Sequence, residues 1–326
     1  MIIDSHAHLV PRSLLEAIGD SKREFPSVEV IKSGDSMAFS FAGNKPTRPV
    51  AGFLTDEKKR LDWMDSQGID RQVVGGWLDM FGNDLPPAEG AAWCRLTNAH
   101  LKSAAKASGD RFIPLATVPL QDGALAAEVL REAHAQGFRG AMIGTQPKGR
   151  GGVLDAPDLD TFWRAADDLG SALFIHPVFD AGDDRVNDYG MANAVGRITD
   201  TLIAVSRLIY SGKVENFPNA SFVTGIGGAA LPYVIGRLRR NYSLAPDKLH
   251  NPDTALSMMY YDTLLHDPAA LMLLLDTVGA DRVMLGSDMP FPIGDPEPRA
   301  ILEGADVDAA GRLAIESGVI SKLLAL

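Results

Sequence analysis

Eight short apolar runs rich in β-branched residues recur along the chain, each followed by a stretch of helical pattern. They are MIIDSHAH (1–8), RQVVGGWLDM (71–80), RFIPLATVPL (111–120), GFRGAMIGTQ (137–146), SALFIHPVFD (171–180), NASFVTGIGG (219–228), SMMYYDT (257–263) and DRVMLGSDMPFP (281–292). TDEKKRLDWMDSQG, before the second run, reads as a helix with Thr55 as N-cap, acids in its first turn and Gly68 as its stop. Further helical stretches fall at 88–108 and 229–244, and a last helix is expected over 297–326. Strands alternating with helices imply parallel pairing through crossover connections. Eight such units predict an α/β chain closed into a (β/α)8 TIM barrel, with 326 residues forming one domain, 1–326. A small hairpin insertion after the first strand, at about 26–50, is expected from VEVIKSGDSMAFSFAG, turned at Ser33-Gly34-Asp35. A two-domain doubly wound sheet is the weaker reading, because no G-x-G-x-x-G follows an early strand.

In such a barrel, chemistry sits at the C-terminal ends of the strands. His6 and His8 end the first run and, two apart, share one face. His176 ends the fifth and Asp288 the eighth. A lone histidine at a strand end is more often a hydrogen-bonded structural residue than a ligand, and His-x-His alone is a weak motif. Four such groups at one rim are a stronger signal. Three imidazoles and a carboxylate suit one divalent ion, Zn²⁺ or else Mn²⁺, with a position left for water or substrate. Cys94 is the one cysteine, which excludes both an intrachain disulfide and a zinc site built from four thiolates. His100 and His134 lie in helical patterns and His250 in a polar loop; His266, after the seventh run, has the mouth as one place to face and a helix start as the expected one.

A formal net charge of −11 argues against nucleic acid as a partner. No window approaches the roughly 18 unbroken apolar residues of a membrane span, and no signal peptide opens the chain, so a cytoplasmic protein without a membrane partner is expected. For substrate contacts, Arg48 follows the hairpin and can reach over the mouth toward a carboxylate. Arg185 lies in the fifth loop, and Trp77 and Asp79 close the second run as an aromatic wall and an acceptor. Each has an ordinary packing or surface role as its bland alternative. Tyr260, Tyr261 and Asp262 are read as core.

IDSHAHLVP, FIHPV, SGKVENFPNASFV, GGAALPYVIGRL and LGSDMPFPIGDPEP together resemble the amidohydrolase superfamily, in its branch of aminocarboxymuconate-semialdehyde and γ-resorcylate-type decarboxylases. The resemblance covers nearly the whole chain. It implies His6, His8, His176 and Asp288 as metal ligands, Asp288 as the group that handles a proton, and a homodimer. There are two departures. The family's strand-six motif carries a histidine before its glycines, where this chain has Ile226. An arginine expected near 245, from a neighbouring subunit, is Ala245.

Two chemistries follow. In nonoxidative decarboxylation of a small aromatic or conjugated carboxylic acid, Asp288 donates to the carbon that loses CO2, and Ile226 can wall a ring. In hydrolysis or hydration, a metal-bound water attacks a lactone, amide or carbon–carbon bond with Asp288 as base. The missing histidine harms the second route more, since isoleucine has no proton to move. Decarboxylation is therefore the expected reaction.

Overall fold

The computed structural model describes residues 1–326 except 21–23, 35 and 179–182. Among the described residues ten strands are formed: β1 (Ile3–His8), β2 (Val28–Ser33), β3 (Ser36–Phe41), β4 (Arg71–Gly75), β5 (Phe112–Pro114), β6 (Gly140–Gly144), β7 (Ala172–His176), β8 (Ser221–Thr224), β9 (Tyr260–Asp262) and β10 (Val283–Met284). All but β2 and β3 run parallel, in the order β1-β4-β5 and β6-β7-β8-β9-β10. A bridge between Ala116 and Ala141 joins β5 to β6. The ring closes where Ser5 N donates to Leu285 O, Asp288 N to His6 O and His8 N to Met289 O, at 2.7, 2.7 and 2.8 Å. The result is the eight-stranded parallel barrel.

Its strands are buried on both faces, so they read as continuous apolar runs rather than alternating ones. GAMIG in β6 and ALFIH in β7 are buried throughout. Val73, Ile113, Leu115, Met142, Phe174, Val223 and Met284 form one cluster, which Val319, Ile320 and Leu324 from the last helix join. A larger apolar layer lies between strands and helices. Asp122 and Asp267 cap two of the crossover helices by accepting from backbone N–H groups two and three residues on.

β2 and β3 pair antiparallel from Val28–Phe41 to Ser33–Ser36. Phe39 and Phe41 then pack edge-on against Trp93, at 6.1 and 5.4 Å between ring centres. The expected turn includes Asp35, and the fifth run includes Phe179 and Asp180, all outside the described residues.

Several boundaries differ from expectation: the second run is extended only to Gly75 and turns helical at Leu78–Met80, and the sixth turns helical at Gly225–Gly228. Asp56, not Thr55, caps the helix Glu57–Gln67, accepting from Lys59 N at 3.0 Å; Gly68 ends it at φ 65°. Ser257 and Met258 are helical, because Asn251 caps and Pro252 starts a turn Pro252–Met258 that leaves only Tyr260–Asp262 extended. The last helix is broken into Ala300–Gly304, Ala309–Leu313 and Val319–Leu324, with Asp308 capping the second piece and a wide turn, Ala314–Gly318, leading into the third.

Candidate metal centre

β1 delivers His6 and His8, β7 ends on His176, and the segment after β10 brings Asp288 back beside β1 through the seam bond to His6 O. All four side chains are buried, and one ligand atom from each lies within 4.8 Å of all the others. Asp288 Oδ1 stands 3.6, 3.1 and 3.9 Å from the Nε2 atoms of His6, His8 and His176. The three rings meet edge-on, with centres 4.7–5.6 Å apart.

The far side of each ring fixes what the near side offers. Nδ1 of His6 lies 2.7 Å from Asp262 Oδ2, that of His8 3.0 Å from Gly76 O, and that of His176 2.8 Å from Pro177 O. All three partners are acceptors only, so each Nδ1 carries the proton and each Nε2 turns a lone pair toward the centre. His8 Nε2 and His176 Nε2 are 3.1 Å apart. His6 Nε2 and Asp288 Oδ1 are buried without a hydrogen-bond partner. Convergent lone pairs and an orphaned buried carboxylate oxygen are costly unless a cation or proton lies between them. The donor set therefore fits a divalent ion.

Electrostatics agree. Burial alone would lower His6, but the hydrogen bond to Asp262 and the field of Asp288 outweigh it and raise the imidazole to about 9. Burial pushes His176 down to about 3 and lowers His8 as well. Burial alone would raise Asp288, yet the adjoining imidazoles of His176, His8 and His6 hold its carboxyl well below the usual range.

Sequence reading missed the groups that hold this cage. Asp262, assigned to the core, orients His6 and also accepts from Gly227 N at 2.8 Å and Leu264 N at 3.2 Å. Beneath the site, buried Asp4 accepts from His6 N at 3.1 Å, Ser287 N at 3.0 Å, Ser287 Oγ and Gln72 Nε2 at 2.7 Å. Arg60 in turn donates to Gln72 Oε1 at 2.8 Å and to His8 O at 3.0 Å. The available signal is positional: a charged residue inside an apolar run, as at Asp4 and Asp262, has to find a buried partner.

The mouth gathers three of the expected substrate residues. Arg48 holds Asp79 with two bonds, Nε–Oδ2 at 3.0 Å and Nη2–Oδ1 at 3.3 Å, and lies over the Trp77 ring at 5.4 Å. Arg48 and Trp77 border a cavity of about 310 Å³, together with Arg197 and Phe291. The Phe291 ring lies 5.0 Å from that of His8, which sets this cavity beside the metal ligands. Arg185 is not brought into this group. Its side chain is 89% exposed and pairs with Asp183. Ile226 is partly buried, with φ 54° and ψ 48°, a left-handed conformation rare for a β-branched residue. Ala245 ends the helix Leu231–Leu244. Of the remaining histidines, His100 bonds Ser13, His134 bonds Arg139, and His250 pairs with Glu215. His266 is exposed. Among the described residues no helix is long and apolar enough to cross a membrane.

A family model described as amidohydrolase matches residues 3–324. Over 310 residues the chain is 28% identical to 2-amino-3-carboxymuconate-6-semialdehyde decarboxylase of Dictyostelium discoideum, covering 92% of this chain and 85% of that one. It is 28% identical over 303 residues to 2-keto-4-carboxy-3-hexenedioate hydratase of a Sphingobium species, covering 89% and 83%. The fold matches 5-carboxyvanillate decarboxylase of Novosphingobium aromaticivorans, solved with manganese and 4-hydroxy-3-methoxy-5-nitrobenzoic acid. That match has a TM-score of 0.81 at 22% identity, over 100% of this chain and 96% of the other.

Proposed function

Since the chain belongs to the amidohydrolase family, we propose that it is a metal-dependent nonoxidative decarboxylase, a carboxy-lyase acting on a small aromatic or conjugated carboxylic acid. The observation that carries this reading is the cage of three back-tied imidazoles and Asp288 at the barrel mouth, beside a cavity with an aromatic wall. The names of the semialdehyde and carboxyvanillate decarboxylases support it. We take residues 1–326 as one barrel domain, since the seam joins its first strand to the segment after its last.

In this reading His6, His8, His176 and Asp288 hold the ion, Zn²⁺ by donor set or Mn²⁺ as in the carboxyvanillate enzyme. When bound, the ion supplies a fixed positive charge that takes up an acid's oxygens and draws electron density from the conjugated system. Asp262 and the two backbone carbonyls keep the imidazoles aimed. Arg48 and Trp77 orient the acid in the cavity, and Phe291 keeps its ring side dry. Asp288 moves the proton. Its carboxyl is ionised at rest, so it first takes a proton that arrives with substrate or solvent. It then gives that proton to the carbon bearing the carboxylate. The bond to the carboxylate breaks, its electron pair stays with the carbon, and CO2 leaves.

The hydratase relative favours a second reading, addition of water to a conjugated acid. Ile226 weighs against it, because no side-chain base stands at that position to help a water lose its proton. The test is to load the chain with Zn²⁺ or Mn²⁺, incubate it with hydroxybenzoates and unsaturated acids, and measure CO2 and product mass. Release of CO2 with one hydrogen gained at the vacated carbon is expected. Stoichiometric metal with water added and no CO2 would overturn the proposal in favour of hydration. Ile226→His is expected to lose decarboxylation at least tenfold while gaining a measurable water-adding or hydrolytic activity; unchanged activity in both assays would refute the role given to this position.

A further inference from the structure

Arg197 stands at the start of the helix Arg197–Tyr210, in a place no substrate residue was expected. A wide turn over Ala192–Gly196, of the i to i+5 kind that recurs at functional sites, leads into that helix. Arg197 is 9% exposed and borders the same cavity of about 310 Å³ as Arg48, Trp77 and Phe291. Burial lowers its guanidinium from the ordinary arginine range. Asp288 and Asp79 pull the other way, and Arg48 adds to the lowering. Arg48 and Trp77 line the cavity with it, and Phe291 of the same lining lies 5.0 Å from the His8 ring, so Arg197 shares a cavity that adjoins the metal ligands.

Two guanidinium groups border one small cavity, and the two are in different situations. Arg48 is 42% exposed and bonded bidentately to Asp79. Arg197 is buried against an apolar wall, close to the metal ligands, where a guanidinium is expensive to keep and where a charge-assisted bond to an anion is strongest. A substrate that binds the metal through its reacting carboxylate and extends into this cavity meets Arg197 in its wall.

We propose that Arg197 binds a second carboxylate of the substrate, so that this site selects dicarboxylic over monocarboxylic conjugated acids. The inference rests on the reading of the metal centre given above, with the reacting acid at the ion. Arg197 is here a specificity residue, and Asp288 keeps the proton chemistry.

The test is an equilibrium binding measurement on the manganese-loaded full chain, independent of turnover. Calorimetric titrations compare 2-hydroxybenzoate with 2-hydroxyisophthalate and 4-hydroxyisophthalate, which add one carboxylate on either side of the same ring. At least one dicarboxylate is expected to bind ten times tighter than 2-hydroxybenzoate or more. In Arg197→Gln that ratio should fall to within threefold of one, and in Arg197→Lys it should take an intermediate value, because the charge stays while the planar fork is lost. Absence of any preference in the unmodified chain would overturn the proposal. So would a preference that survives in the Gln variant, or equal weakening of both acids. If the Gln variant does not fold, the Lys variant decides: a ratio equal to that of the unmodified chain overturns the proposal, and a lower one supports it. A chain that released no CO2 from any acid would end the decarboxylase reading and leave these ratios to be judged alone.

Discussion

Asp262 carries more of the site than its position in YYD announces. It ties the His6 ring, the loop after β8 and its own strand end together through three bonds. Replacing it by Asn lets an amide NH2 face His6 Nδ1, which favours the wrong tautomer. Asp262→Asn should therefore weaken metal binding by about 10–100-fold, measured by competition with a chromophoric chelator. An affinity within threefold of the parent would show that His6 is aimed by packing alone. His6 also sets the response to pH. In chelated protein its pKa is raised to about 9, so below that pH a metal ion has to displace one proton to reach Nε2. His8 and His176 are lowered and contribute none near neutrality. Metal affinity should rise about tenfold per pH unit from 7 to 9 and flatten above, read by the same competition across buffers. The stability that the imidazolium lends to chelated protein runs the other way. It is full below the unfolded value of about 6.5 and disappears as pH climbs through 9.

At the level of elements, the metal ligands are legible in the sequence because each sits at the end of an apolar run, where a barrel places its chemistry. His6, His8, His176 and Asp288 follow from that rule and from the residue types. Arg197 and Phe291 do not, because they stand in loops or at a helix start whose path depends on tertiary packing. Arg60 is hidden for another reason: its long side chain lies on a helix with mostly polar neighbours, and only the fold shows that it turns inward to Gln72 and His8 O. The element limits erred where caps were in competition, as at Thr55 and Asp56, and where Asn251-Pro252 started a helical turn that runs into an expected strand. Close approach is a second element-scale property the pattern conceals. A Cβ on Gly286 would lie 2.9 Å from the Cβ of Asp262 and 3.2 Å from that of His6. Gly286→Ala should push those two apart, lowering stability by about 1–3 kcal/mol in a denaturant melt and metal content together. Full metal content with parent stability would mean that β9 yields without strain.

For the whole molecule, the barrel and its helix order are readable from alternation alone, while the seam between β1 and the last strand needs the folded chain. Ser287 reaches back 283 residues to Asp4, and Asp288 N bonds His6 O beside it. An ion gripped from both sides of that seam binds the native state and not the unfolded chain. Added at about 100 times its dissociation constant, it should stabilise the fold by about 2.7 kcal/mol, and chelation should lower the melting temperature accordingly. A melt insensitive to chelator, in protein confirmed to hold metal beforehand, would show that the seam stands without it. The same seam orders events during synthesis. A ribosome that has made His6, His8 and His176 has yet to make Asp262, which aims His6, and Asp288, the fourth ligand. The complete set of four ligands, with His6 aimed, therefore exists only once the chain has passed Asp288.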